Sequence, residues 1–435
     1  MKSSAASFFS HYGMLLVLLF LCGFFSVVTL TEQSASGPAA ASQILSAVEP
    51  GHRVLIVGSV SAADAAFAAE VKRQLELKGA GVMDVVLGEP KDARKVLEKS
   101  TGEGTAPDLI ACSEQAGRWL LFEDIETSIA GLQGTIVIKP ESYRFPNFLK
   151  AENLLNIANQ IAVIAIVAIG MTMVIIAGGI DLSVGSLIAL SAVVSSVLIR
   201  DFGGGTDAGP TALLACCAAA VILCGCLGGF SGLMVTRFDI PPFIVTLGMM
   251  LVGSGLAYIL ADGQSISVMP ESFVWLGRGA DALGLPNAVA LMFGLYGAAH
   301  LVMAHTRLGR HIYAVGGNSE AALLSGVPLR RVRLVTYLVS GMLAGLGGVI
   351  MASQLKSGSP TYGSMYELYV IAAVVVGGTS LSGGKGRMLG TLIGVFTIAV
   401  IQNGMNLTNV ESYTQKVVLG LVILGAVLLD KLRNR

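Results

Sequence analysis

Charge is what this sequence has least of. Only 13% of its 435 residues are Asp, Glu, Lys or Arg, about half the share usual in a soluble globular chain. The two signs balance at 28 each, which leaves no basic excess for a nucleic acid partner. Cysteine is sparse as well. Of six, Cys22, Cys216, Cys217, Cys224 and Cys226 lie in apolar runs and Cys112 stands alone in the polar part, so no disulfide framework follows. The five histidines (His11, His52, His300, His305 and His311) are scattered, and neither an HExxH pair nor a nucleophile elbow is present. That speaks against an enzyme and gives no metal-ligand cluster. Paired carboxylates inside apolar runs, which a proton- or sodium-coupled carrier needs, are also missing; Asp181 is the only candidate.

What the chain has instead is apolar sequence. Hydrophobic residues make up 54% and the mean hydropathy is +0.74. A bilayer-spanning helix needs about 20 apolar residues. Ten runs approach that length, at about 13–30, 157–177, 184–199, 211–236, 241–261, 287–305, 332–353, 366–379, 388–407 and 415–430. Basic residues concentrate in alternate gaps: Arg237; Arg307, Arg310, Arg330, Arg331 and Arg333; Lys385 and Arg387; Lys431, Arg433 and Arg435. The other gaps hold isolated ones, Arg200, Arg278, Lys356 and Lys416. By the positive-inside rule both termini are expected in the cytoplasm. The fold class expected is an all-α polytopic membrane protein of about ten transmembrane helices with a small extracytoplasmic α/β insert. The first run, preceded by Lys2 and followed by "SASGPAAAS", reads as an uncleaved anchor, with a signal peptide as the alternative.

The expected domains are a first helix (1–30), the insert (31–144) and a membrane core (145–435). More than half of the acidic residues and half of the lysines fall in the insert. "RVLIVGSV", "VMDVVLG", "PDLIACS" and "GTIVIK" read as strands. "AADAAFAAEVKRQLELKGA" and "PKDARKVLEKS" read as helices, and "EQAGRWLLFEDIETSIAGL" as a further one. Such alternation predicts a small parallel α/β domain. "VLIVGSV" lacks the glycine spacing of a dinucleotide loop. The segment is expected to be structural or a docking domain; "PDLIACSEQAG" also resembles part of a sugar-binding-protein lobe.

Within the core, "AGGIDLSVGS" places Asp181 between two apolar runs, flanked by glycines that permit a break. Its carboxylate is expected to accept the amide of Ser183 or Val184 at the next helix start, a role compatible with lining a path. Gln402, Asn403 and Asn406 fall in or near the ninth run. Amides there can bind sugar hydroxyls or join helices.

Several ordered blocks make a resemblance specific: "FPNFLKAENLLNIANQIAVIAIVAIGMTMVIIAGGIDLSVGS" (145–186), "DIPPFIVTLGMMLVGSGLAYILADGQSI" (239–266), "GRHIYAVGGNSEAALLSGVPLRRVRLVTYLVSGMLAGLGGVI" (309–350) and "AAVVVGGTSLSGGKGRMLGTLIGVFTIAVIQNGMNLTNV" (372–410). The sequence resembles the membrane permease of a monosaccharide ABC importer of the ribose, xylose and galactose type. The insert is its departure from that family. The resemblance implies a bacterial inner-membrane homodimer in the lipid bilayer, served by a cytoplasmic ABC ATPase subunit and an extracytoplasmic solute-binding protein, with no cofactor of its own. It also implies that "NSEAALLSGV" (318–327) is the coupling helix, with Gly317, Asn318, Glu320, Ala321, Ala322 and Gly326 at the ATPase contact, and Asp181, Gln402, Asn403 and Asn406 near the translocation path. Leu323 stands where the family commonly has a basic residue. A branched-chain amino acid permease, or a membrane sensor using the insert, remains the alternative.

"LSGGKG" (381–386) looks like a nucleotide motif but is read otherwise. A P-loop needs a hydroxyl residue after its lysine to hold magnesium, and Gly386 stands there. The loop has about ten residues between apolar runs, so it is expected to be a tight turn.

Overall fold

The computed structural model describes residues 4–433 apart from 36, 47, 50, 124, 282 and 283. Lys2 and Arg435, two of the orientation signals, lie outside the described residues. The chain divides into two compact units, one of residues Leu30–Pro146 and one of Met1–Thr29 with Asn147–Arg435. Helix α1 (Ser4–Val28) opens the second of these.

Unit Leu30–Pro146 begins and ends on an antiparallel ribbon, β1 (Leu30–Ser34) with β6 (Ser142–Pro146). Between them run α2 (Gly37–Leu45), β2 (Arg53–Gly58), α3 (Ala62–Lys78), β3 (Gly81–Leu87), α4 (Pro90–Gly102), β4 (Leu109–Cys112), α5 (Ile125–Ser128) and β5 (Ile136–Ile138). Strands β2 to β5 form one parallel sheet in the order β3-β2-β4-β5. Strand side chains alternate faces. Val54 and Ile56 accordingly pack with α2 and α3, through Ile44, Phe67 and Val71. Leu55 and Val57 pack on the other side with Ala93, Leu97 and Phe122. Burial on both faces is why β2 and β4 read as unbroken apolar runs. Helix α3 is capped at both ends: Ser61 Oγ accepts the Asp64 amide, and Gly79 takes a left-handed φ of 73°.

One expected helix does not form. Residues 116–122 make two 3₁₀ turns instead, followed by the four-residue α5. Ala116, Trp119, Phe122 and Ile125 are spaced by three, and that is the period of a 3₁₀ turn, not of an α-helix.

The other unit is helical: α6 (Ala151–Ile176), α7 (Val184–Asp201), α8 (Pro210–Arg237), α9 (Pro242–Leu260), α10 (Trp275–Arg278), α11 (Asn287–His305), α12 (Arg307–Gly317), α13 (Ser319–Leu324), α14 (Leu329–Leu355), α15 (Tyr366–Val376), α16 (Met388–Leu407) and α17 (Ser412–Arg433). Among the described residues, seven helices are long and apolar enough to cross a membrane: α6, α7, α8, α9, α11, α14 and α16. Three shorter apolar stretches, Gly13–Val28, Tyr366–Val376 and Ser412–Leu428, occupy the other three runs. Over residues 161–176 helix α6 is apolar on nearly every side and wholly buried, as befits the centre of a bundle. Helices α8, α9 and α11 turn Leu214, Phe230, Leu251, Ile259 and Leu301 outward, a surface suited to lipid. Helices α8 and α14 cross at glycines. A Cβ on Gly228 would overlap the Tyr337 carbonyl, and one on Gly341 the Cys224 carbonyl. Without a hydrophobic force between helices in lipid, such close approach supplies the attraction.

Asp64 of the α/β unit gives a prediction. Burial alone raises its carboxyl, but hydrogen bonds from Ser113, Ser59 and Ser61 outweigh that and hold it below its ordinary value. Its stabilisation is therefore present above the unfolded value, about 3.9, and is lost as pH falls through the lower folded one. The unfolding temperature of this unit, followed by Trp119 fluorescence in a Trp275→Phe background, should be flat near neutrality and drop only below about pH 4. Asp64→Asn should remove that part of the drop.

Candidate functional site

Three interruptions of the helices gather at one end of the membrane unit, and each has a local cause. Helix α6 ends where Gly178 adopts a φ of 82°. The Gly178 amide donates to the Ile175 carbonyl and the Gly179 amide to Val174, a Schellman cap. Helix α15 ends the same way: Gly378 has a φ of 87°, its amide donates to Val375, and the Thr379 amide donates to Val374. The cap at α6 leaves the Ile176 carbonyl over. It is taken by the Gly384 amide of the "LSGGKG" loop at 2.9 Å.

That bond explains the double glycine. Gly383 and Gly384 have φ values of 85° and 69°, a region that residues with a Cβ rarely adopt. The corner between α12 and α13 packs on the same point. A Cβ on Gly316 would overlap the Ile176 carbonyl, and one on Gly384 would lie 2.7 Å from the Gly317 Cα. The Tyr313 hydroxyl donates to the Gly386 carbonyl at 2.9 Å. Three chain segments thus meet backbone to backbone.

Helix α13 continues from this corner. Asn318 caps it by accepting the Ala321 amide at 3.0 Å. Gly326 closes it at φ 79°, with the Val327 amide donating to the Ala322 carbonyl. Ala322 is buried, whereas Gly317, Asn318, Glu320, Ala321 and Gly326 are exposed. Leu323 and Leu324 are exposed as well, Leu324 by 90%.

Five residues beyond Ile176 lies Asp181, fully buried. Its Oδ1 accepts the Ser183 amide at 3.1 Å and the Ser183 hydroxyl at 2.6 Å, and its Oδ2 accepts the Ser340 hydroxyl at 2.8 Å. The neighbouring Ile180 carbonyl accepts Thr246 Oγ1 and the Tyr337 hydroxyl, each at 3.3 Å. The break is therefore tied to α7, α9 and α14. Non-helical backbone buried in protein survives where its polar groups are satisfied in this manner.

The amides of the ninth run are placed at helix junctions. Asn403 and Asn153 exchange hydrogen bonds at 2.9 and 3.1 Å. Asn406 Oδ1 accepts Gln415 Nε2 at 2.8 Å. Gln402 lines a small niche with Ile157, Gln160 and Ile161. Among the described residues the Asp181 carboxylate is held by Ser183 and Ser340, not by any of these three amides.

Two features escaped the sequence reading. Gly316, Tyr313 and Ile176 belong to the corner, yet only the paired positive-φ glycines of "SGGKG" signal it. Glu367 is a second carboxylate in an apolar run, in the first turn of α15. It is half-buried against Gly185. It lies inside the run 366–379, where a single carboxylate among apolar residues drew no notice. The preceding residues 357–365 run non-helically along α7, with Gly358 against Ala192 and Ser196 and Gly363 against Ile188.

The sequence model of the family described as "Branched-chain amino acid transport system / permease component" matches residues 153–427. The chain belongs to this permease family. The Ribose import permease protein RbsC of Escherichia coli (strain K12) is 44% identical over 289 residues, covering 66% of the permease and 87% of the relative. RbsC of Bacillus subtilis (strain 168) is 44% identical over 296 residues, 66% and 88% of the two chains. The D-allose transport system permease protein AlsC of Escherichia coli (strain K12) is 37% identical over 290 residues, 66% and 86%. No solved structure matches significantly. The family match lies wholly within the membrane unit of the permease.

Ser340→Ala should leave the buried Asp181 short of one donor. A hydrogen bond to a charged group contributes about 1.5–3 kcal/mol. Chemical unfolding in detergent should show a loss of that size, whereas Ser340→Thr should restore part of it.

Proposed function

We propose that this protein is the transmembrane permease subunit of an ATP-driven importer, carrying a monosaccharide or related small polar solute across the bacterial inner membrane. The relatives are named for ribose, allose and arabinose, which favours the sugar class over branched-chain amino acids. Such a subunit is not an enzyme; ATP hydrolysis belongs to a separate cytoplasmic subunit, and solute arrives from an extracytoplasmic binding protein. In this reading ten segments cross the membrane, both termini are cytoplasmic, the α/β unit lies outside, and two copies of the chain form the transporter.

The observation that carries the proposal is the backbone joint of Gly316, Gly384 and Ile176. Helix α13 offers an exposed apolar surface, Leu323 and Leu324, beside Glu320 and Ala321. It lies on a corner packed against the end of α6. A displacement imposed on α13 by the ATPase reaches the Asp181 break through main chain alone, with no flexible side chain to absorb it. Gly317, Asn318, Glu320, Ala321, Ala322 and Gly326 are assigned to that coupling contact. Asp181, Gln402, Asn403 and Asn406 are assigned positions beside the path, which they shape through the helix junctions they hold. ATP and solute drive the cycle through unequal affinities for the inward- and outward-open states.

Two substitutions separate docking from transmission. Leu324→Asp should prevent recovery of the ATPase with the purified permease. Gly316→Ala should leave that recovery intact but lower sugar uptake in reconstituted vesicles at least tenfold, with Tyr313→Phe a milder version of the same phenotype. Should Leu324→Asp retain its ATPase in full, α13 is not the contact. Should Gly316→Ala transport normally while remaining folded, the joint does not transmit.

A further inference from the structure

The α/β unit has a feature that its structural role does not require. Its sheet order β3-β2-β4-β5 means the chain leaves β2 in one direction, through α3 to β3, and returns on the other side to β4. The strand order reverses between β2 and β4. In open parallel sheets, small ligands bind at such a reversal, beyond the carboxyl ends of the strands. A cavity of ≈ 160 Å³ lies there, lined by Ser61, Asp64, Phe67, Ser113, Glu114 and Gln115 among others.

The polar groups around it are arranged, and not fully used. Asp64 is only 9% exposed. Its Oδ2 accepts both the Ser59 amide and the Ser113 hydroxyl, each at 2.7 Å, so the carboxylate pins the ends of β2 and β4 together. A carboxylate has about four acceptor positions on its two oxygens, more than the donors of Ser59, Ser61 and Ser113 need fill. Ser59 Oγ donates to Gln115 Oε1 at 2.7 Å, which fixes the amide and leaves its NH₂ group to donate. Gln115 itself is exposed.

The lining selects a class of ligand. Among the described residues no lysine or arginine lines this cavity, which counts against phosphate or carboxylate ligands. The described residues hold no group of three or more His, Cys, Asp or Glu that could bind a metal. An acceptor from Asp64, a donor from Gln115, serine hydroxyls and the Phe67 ring suit a molecule whose groups both donate and accept, that is, a neutral polyol. The volume corresponds to about five waters, the scale of a single sugar ring.

We propose that the α/β unit carries a monosaccharide site of its own at the β2–β4 reversal, with Asp64 and Gln115 as its principal hydrogen-bonding groups. The choice of sugar among polyols rests on the importer reading; the site itself does not. With one wall of the cavity open, binding is weak and rapidly reversible.

Trp119 follows Gln115 by four residues and stacks on Phe122 at 6.1 Å, close enough to report. The full chain, reconstituted in nanodiscs as Trp275→Phe, is titrated separately with D-ribose, D-allose and L-arabinose while Trp119 fluorescence is followed. A saturable change is expected with at least one of them. Gln115→Ala, at an exposed position that should not affect folding, is expected to weaken it at least tenfold; Asp64→Asn tests the acceptor, with the Trp119 melting curve confirming a folded unit. No saturable change with any of the three sugars overturns the site, as does a change that Gln115→Ala leaves untouched. Saturable binding by the unit, with no uptake when the permease is reconstituted in vesicles together with its ATPase and binding protein, counts against the importer reading alone.

Discussion

The bond from the Gly384 amide to the Ile176 carbonyl is the contact on which this end of the membrane unit depends. A buried backbone group without a partner is too costly to keep, so a helix interrupted inside protein persists only where another segment answers its orphan groups. Here the interruptions answer one another. The cap that ends α6 satisfies two carbonyls and leaves the third to the loop after α15. That loop can reach it only because Gly383 and Gly384 hold left-handed angles. The corner before α13 can lie over both only because Gly316 lacks a Cβ. None of the three would be stable as drawn without the other two.

Much of the membrane unit was legible because hydrocarbon solvation writes itself into composition. All ten apolar runs became helix over at least part of their length. The stretch between the seventh and eighth runs was not legible. Composition gave no sign that residues 357–365 would pack non-helically along α7, since glycine and serine serve close packing in helices as readily as they serve breaks. Glu367 sits at the start of the eighth run, and its approach to Gly185 is a long-range contact without local trace. Asp181 was easier: the glycines before it and the serines after it announce a break and a capped start, and the Ser183 amide does bind its carboxylate. Its other partner, Ser340, is 159 residues away and leaves no local trace. The amide ladder of Asn153 and Asn403 is likewise a long-range pairing that no window of sequence contains.

In the α/β unit the strands and long helices followed from alternation and caps, and the register of the central strands from their two-sided burial. The stretch after β4 did not. Its apolar residues repeat every three positions, a period that an α-helix of 3.6 cannot keep on one face, and the chain resolved the conflict in favour of the core by winding tighter. The same stretch carries Ser113 and Gln115, so the irregularity that defeated pattern reading is also what turns polar side chains toward the strand ends.

A joint made of main chain has an evolutionary consequence. Backbone atoms are the same in every protein, so the joint constrains chiefly its glycine positions and the Tyr313 hydroxyl. The outward residues of α13, Glu320, Leu323 and Leu324, stand apart from it and can drift together with whatever surface receives them. If α13 is the ATPase contact as proposed, a cell holding several transporters of this build could keep their subunits from mixing by varying that short face alone, while the glycine joint beneath stayed common to all.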